Sequence, residues 1–133
     1  MSDTFFIEKT LSGTPDEVIG KVTEALGAQG FGILTRVDVD KTLKKKIDVD
    51  FRPYVILGAC NPGLAHQALN ARADVGLMLP CNVTVEQSGD NECTVRFLDP
   101  IAMMTFQDLG TNDDLKAIGA QAAEKISAAA AAL

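Results

Sequence analysis

The side chains best suited to chemistry in this chain are its three cysteines, Cys60, Cys81 and Cys93, and its one histidine, His66. Cys60 ends an apolar, β-forming run and is followed by Asn61-Pro62-Gly63. Asparagine is a good helix N-cap and proline suits the first helical position, so Cys60 is placed where a strand hands over to a helix. A thiol beside the unpaired amides of a helix N-terminus is biased toward thiolate, which makes Cys60 a candidate reactive or ligand-contacting residue. The competing reading is a small buried apolar residue followed by ordinary capping chemistry. Cys81 enters an alternating strand behind Pro80 and ahead of Asn82, where packing explains it more readily. Taken as a pair, the two thiols would serve a redox or persulfide-carrying function. As thiolates they would also suit Cu(I) or Zn, given a further ligand from outside the pair. His66 lies about 200° around its helix from Leu64, away from the apolar side, and reads as a surface residue rather than a partner for Cys60.

The elements that hold these residues can be read along the chain. Phe5, Phe6 and Ile7 mark a first strand over residues 4–10, and Ser12-Gly13 a turn. Thr14-Pro15-Asp16-Glu17 is a capping box that opens a helix with the apolar stripe Val18, Ile19, Val22, Ala25 and Leu26. Gly27 and Gly30 are expected to end it in left-handed conformations. A second strand is predicted over Gly32 to Asp38, then a short amphipathic helix over Val39 to Lys46, then an edge or connecting segment to Pro53. Tyr54 to Cys60 is the central strand. Leu64, Ala65, Ala68 and Leu69 continue as a helix that breaks near Asp74 and Gly76.

Residues 81–87 and 92–98 form a predicted hairpin. Cys81, Val83 and Val85 share one face, as do Cys93, Val95 and Phe97, and the two sets can meet only across an odd loop of three or five residues. Gly89 is the expected positive-φ residue, and Cys93 falls beside Val85 or Gln87, far from Cys81. Asp99-Pro100 ends the strand. Ile101 to Phe106 supplies apolar bulk near the Cys81 end of the hairpin, with Met103 and Met104 read as core fillers in preference to a methionine metal box. From Asn112, an alanine-rich helix carries Leu115, Ile118, Ala122, Ile126 and Leu133 on one side, to lie on the sheet or on a second subunit.

Cys60-Asn61-Pro62, Ala68-Leu69, the run from Gly76 to Cys81, the strand Val83 to Glu86 and Asp99-Pro100 together resemble family 302 of the domains of unknown function, over nearly the whole chain. The resemblance implies a compact two-layer α/β domain, a homodimer, and no agreed activity.

Composition sets the outer bounds. A chain of 133 residues, 47% of them apolar, makes one domain with a real core. Its fold class is expected to be α+β, with a mostly antiparallel sheet of about five strands and helices packed on one face. A net charge of −6 argues against nucleic acid, and Lys41, Lys44, Lys45 and Lys46 are cancelled by flanking aspartates. No run approaches the ~20 apolar residues of a membrane span. The N-terminus carries no signal pattern, so a cytoplasmic location with reduced thiols is expected. There is no phosphate loop, G-x-S-x-G elbow, CxxC or HExxH motif. No stretch spells out a reaction or names a cofactor. The expected function is a dimeric binding module whose ligand is a small molecule, anionic ones included, or a protein partner. Its site is expected at the edge formed by Cys60, Asn61, Pro62, Gly63, Pro80, Cys81 and Asn82, the anion being favoured by the helix N-terminus. A thiol or soft-metal function is the alternative, and a structural dimer without a chemical site the third reading.

Overall fold

The computed structural model describes residues 4–133, so Met1 to Asp3 lie outside it. Five strands, β1 (Phe6–Ser12), β2 (Gly32–Asp38), β3 (Tyr54–Cys60), β4 (Cys81–Gly89) and β5 (Glu92–Leu98), form one antiparallel sheet in the order β1-β5-β4-β3-β2. Five α-helices join them: α1 (Pro15–Gly27), α2 (Val39–Ile47), α3 (Pro62–Ala71), α4 (Pro100–Met104) and α5 (Asp113–Ala131). Short 3-10 turns run over Ala73–Met78 and Gln107–Thr111. The two-layer α+β class expected from the pattern is the one observed, and among the described residues no helix is long and apolar enough to cross a membrane.

Alternation in the three central strands divides the sheet into two faces. Val55, Leu57 and Ala59 of β3, Cys81, Val83 and Val85 of β4, and Cys93, Val95 and Phe97 of β5 point to the helices and are buried. Against them lie Val18, Ile19, Val22 and Leu26 of α1 and Leu115, Ile118, Ala122 and Ile126 of α5. The α1 start is the capping box read from sequence, with Thr14 accepting from the Glu17 amide and Glu17 accepting from the Thr14 amide. At its other end only Gly30 takes a positive φ; Gly27 is still helical and the cap is Ala28.

The hairpin needs a second correction. Val85 faces Val95 and Gln87 faces Cys93, as the parity argument requires, but the chain reverses through the two residues Asp90 and Asn91. A bulge between Gln87 and Gly89 supplies the odd residue instead of a longer loop. The positive φ accordingly falls on Asn91 and not on Gly89, asparagine being among the few non-glycine residues that enter the left-handed region.

Among the described residues no helix covers the central strands on the opposite face, and α2 lies near β2 and β3. Glu8, Arg96, Glu86 and Arg52 form a row across it, with Arg96 donating to Glu8 (2.9 Å) and to Glu86, and Arg52 donating to Glu86 (2.7 Å). Phe6, Leu98, Ile56, Val37 and Tyr54 lie around that row. The helix α2 beyond it buries no residue, and its apolar residue Ile47 is 63% exposed.

Candidate functional site

Local chemistry brings β3 to a stop at Cys60. The next residue, Asn61, is extended, and its Oδ1 accepts from the Leu64 amide (3.2 Å) while its carbonyl accepts from the Ala65 amide (2.9 Å). With Pro62 lacking an amide hydrogen, these contacts satisfy much of the first turn of α3. Antiparallel register then sets Cys81 directly opposite Ala59, one residue from Cys60. Both cysteines therefore sit at the same end of adjacent strands, although they are 21 positions apart in sequence.

Gly58 makes this approach possible. A Cβ at Gly58 would stand 2.1 Å from the Thr35 hydroxyl and 2.7 Å from the Pro80 ring. Only a residue without a side chain lets Pro80, which follows a cis peptide bond, pack across β3 and deliver the chain into Cys81.

At this end of the sheet lies a cavity of about 30 Å³. Cys60, Asn61 and Cys81 line it, with Leu64, Ala65 and Ala68 from α3, Met103 and Met104 from α4, and Ile118 and Ala122 from α5 closing the other sides. The wall is almost wholly carbon and sulfur, Asn61 is its one polar side chain, and no charged side chain lines it. Cys60 is half-buried; Cys81 is 8% exposed. Burial, and then the neighbouring Cys60, push the Cys81 thiol up to about 11. Helix α4 is held by Asp99, whose Oδ1 accepts from the Ile101 amide (2.9 Å), and Gly119 of α5 leaves room for Met104 against it.

The sequence-read site residues separate into two groups. Cys60, Asn61 and Cys81 meet at the cavity. Pro62 and Gly63 are exposed on the first turn of α3, Pro80 covers Gly58, and Asn82 points to the helix-free face beside Phe6, Tyr54 and Thr84. His66 is exposed and shares a hydrogen bond with Asn70 (3.2 Å), outside the cavity. Cys93 is buried at the hairpin end, its Sγ 3.6 Å from the Gly13 carbonyl that accepts from it, and burial raises its thiol also. Sequence reasoning set Met103 and Met104 near the Cys81 end of the hairpin but as core fillers rather than site residues, and it did not join Leu79 or Phe31 to the site. The only local signal was the adjacent methionine pair, which on sequence grounds is ordinary core filling.

A family model described as "Domain of unknown function DUF302" matches residues 7–133. No curated protein matches the chain. Among solved structures, the chain is similar to an uncharacterized conserved protein DUF302 from Bacillus stearothermophilus, at 29% identity and a TM-score of 0.84, covering 97% of this chain and 98% of that one.

Proposed function

Because the chain belongs to the DUF302 family, whose description assigns no activity, we propose its function from the cavity: it is a dimeric binding domain that takes a very small, soft ligand through the sulfur of Cys60. One observation carries this reading. A half-buried thiol and a buried thiol line the same apolar cavity of about 30 Å³. Ordinary metabolite sites run to roughly 300–1,000 Å³, whereas this space suits an atom, an ion or a modification of the thiol itself. The anionic ligand suggested by the helix N-terminus has less support here, since a carbon- and sulfur-lined wall without a basic side chain would not offset its desolvation.

The test is native mass spectrometry of the protein purified under reducing, metal-retaining conditions. Wild type and Cys93→Ser should carry a bound mass that Cys60→Ser lacks. An equal bound mass in all three proteins, or none in any, overturns the reading.

The helix-free sheet face supports the dimer. Five strands spaced ~4.8 Å apart and about seven residues long at ~3.3 Å each present roughly 550 Å², and the flanking Phe51 and α2 extend this toward the ~800 Å² per partner of a stable interface. Its row of charges alternates Glu8, Arg96, Glu86, Arg52, so a two-fold axis that crosses the row at its middle and lies perpendicular to it sets each acid over a base of the second copy. The Thr84 hydroxyl on this face is buried without a hydrogen-bond partner. Sedimentation of wild type against Val37→Asp checks the reading: a dimer that becomes monomeric agrees with it, and a wild-type monomer overturns it.

A further inference from the structure

We propose that the cavity is a Cu(I) site, in which the sulfurs of Cys60 and Cys81 bind the ion and a thioether of Met103 or Met104 supplies the third ligand; this rests on the thiol-dependent reading above. Four sulfur-bearing side chains from three separate elements line one cavity: Cys60 from β3, Cys81 from β4, and Met103 and Met104 from α4. A methionine is common in a core, but two methionines and two cysteines around a space of about 30 Å³ form a donor set. Thiolate and thioether are soft donors of the kind that hold Cu(I), zinc and iron–sulfur clusters, and a cluster takes four cysteines where this wall has two, so Cu(I) and zinc remain.

The same residues argue against harder ions. Among the described residues no three of His, Cys, Asp and Glu are grouped to hold a metal. Structural zinc takes four ligands of those types, and thioethers do not replace them. Calcium and magnesium require oxygen ligands, of which the wall offers only the Asn61 amide.

The charge balance also favours a singly charged ion. Binding converts Cu(I) and two thiols into a bis-thiolate complex of charge −1 and two released protons, with no change in oxidation state. Two bare thiolates would place a charge of −2 in the same dry, carbon- and sulfur-lined space, where an uncompensated charge is costly. The metal removes half of it, and the positive end of α3 beside Cys60 offsets part of the remainder. Half-buried Cys60 is the ligand of entry, because Cys81, Met103 and Met104 are buried behind it.

The experiment is an anaerobic titration of the full, reduced chain with Cu(I) against a colorimetric Cu(I) chelator such as bicinchoninate, read with ultraviolet absorption and sulfur-scattering X-ray absorption. Wild type should withhold one Cu(I) per chain with sulfur-only coordination. Its apparent affinity should rise with pH, by up to about a hundredfold per pH unit while both protons are released on binding. Cys60→Ser should lose the ion, and the double variant Met103→Leu, Met104→Leu should weaken binding at least tenfold. Leucine for methionine conserves volume, and an unchanged thermal transition verifies that the double variant is folded. Full affinity in that folded variant, or complete loss of copper to the chelator by wild type, overturns the proposal. If wild type takes no copper while Cys60 still carries the bound mass or alkylates rapidly, the copper site falls and the thiol reading stands. If Cys60 is inert as well, both fall.

Discussion

Alkylation of the folded protein should separate the three cysteines by position. A rise in the Cys81 thiol from 9.0 to about 11 means roughly a hundredfold less thiolate near neutral pH, and only the thiolate reacts. Access lowers the rate again, because Cys81 is 8% exposed and reaches solvent past α3 and α4. Cys81 should therefore react at least about a hundredfold more slowly than a small free thiol with iodoacetamide at pH 7.5. Cys93 is fully buried, is raised by burial, and is held against the Gly13 carbonyl, so it should share that protection. Cys60, half-buried at the cavity mouth, should take the first label. The assay is a time course quenched into acid, digested and read by mass spectrometry of each cysteine peptide, repeated in denaturant, where the three rates should converge. Equal rates for Cys81 and Cys60 in the folded protein would refute the assignment of one outward and one inward thiol. So would slow labelling of all three, which would leave Cys60 no access to a ligand from solvent.

Three further perturbations act on the framework. Asn61→Ala removes the acceptor for the Leu64 amide and should cost about 0.5–2 kcal/mol in chemical denaturation, with slower or less selective labelling at Cys60 as the strand end loosens. Gly58→Ala forces its methyl into the Thr35 hydroxyl and the Pro80 ring and should cost about 1–3 kcal/mol, shown as a lower denaturation midpoint and earlier labelling of Cys81. Glu86, 8% exposed, is held below its ordinary value of 4.5 by Arg96 first and Arg52 second. Its contribution is thus present above pH 4.5 and lost as pH falls through the folded-state value. Glu86→Gln should cost about 1–2 kcal/mol at pH 7, discounted because both arginines are partly exposed, and should flatten the acid limb of a stability-versus-pH curve.

Much of the fold was legible because its signals are local. The Thr14 to Glu17 box, the Asn61-Pro62 start and the alternation of Val83, Val85, Val95 and Phe97 each depend on a few neighbouring residues, and all stand as read. Misreadings arose where two local solutions satisfy one constraint. Parity demanded an odd residue in the hairpin, but it could not choose between a longer loop and a bulge at Ser88 with a turn through Asn91. Likewise either Gly27 or Gly30 could have ended α1. Gly27 stays helical, and the positive φ falls on Gly30, where the chain turns so that the Phe31 amide donates back to the Leu26 carbonyl (3.0 Å).

The site was half legible for a different reason. Cys60 could be placed at a strand-to-helix junction from Asn61 and Pro62 alone, and Cys81 at a strand start from Pro80. Their meeting depends on Ala59 pairing with Cys81, a contact set by the whole β3–β4 register and by the absence of a side chain at Gly58. Alternation by itself would send Cys60 outward with Ile56 and Gly58. Because β3 ends there and the chain turns into α3, Cys60 lines the cavity instead. Met103 and Met104 are more remote still, since α4 reaches the cavity only after β5 has crossed the sheet and α5 has folded back over it. In sequence Cys60 and Cys81 can be paired only by inference from the strand order, and the methionines at 103 and 104 look like core fillers. Brought around one small space without a charged neighbour, the same residues become a set of soft donors, and that common character distinguishes a site from a core.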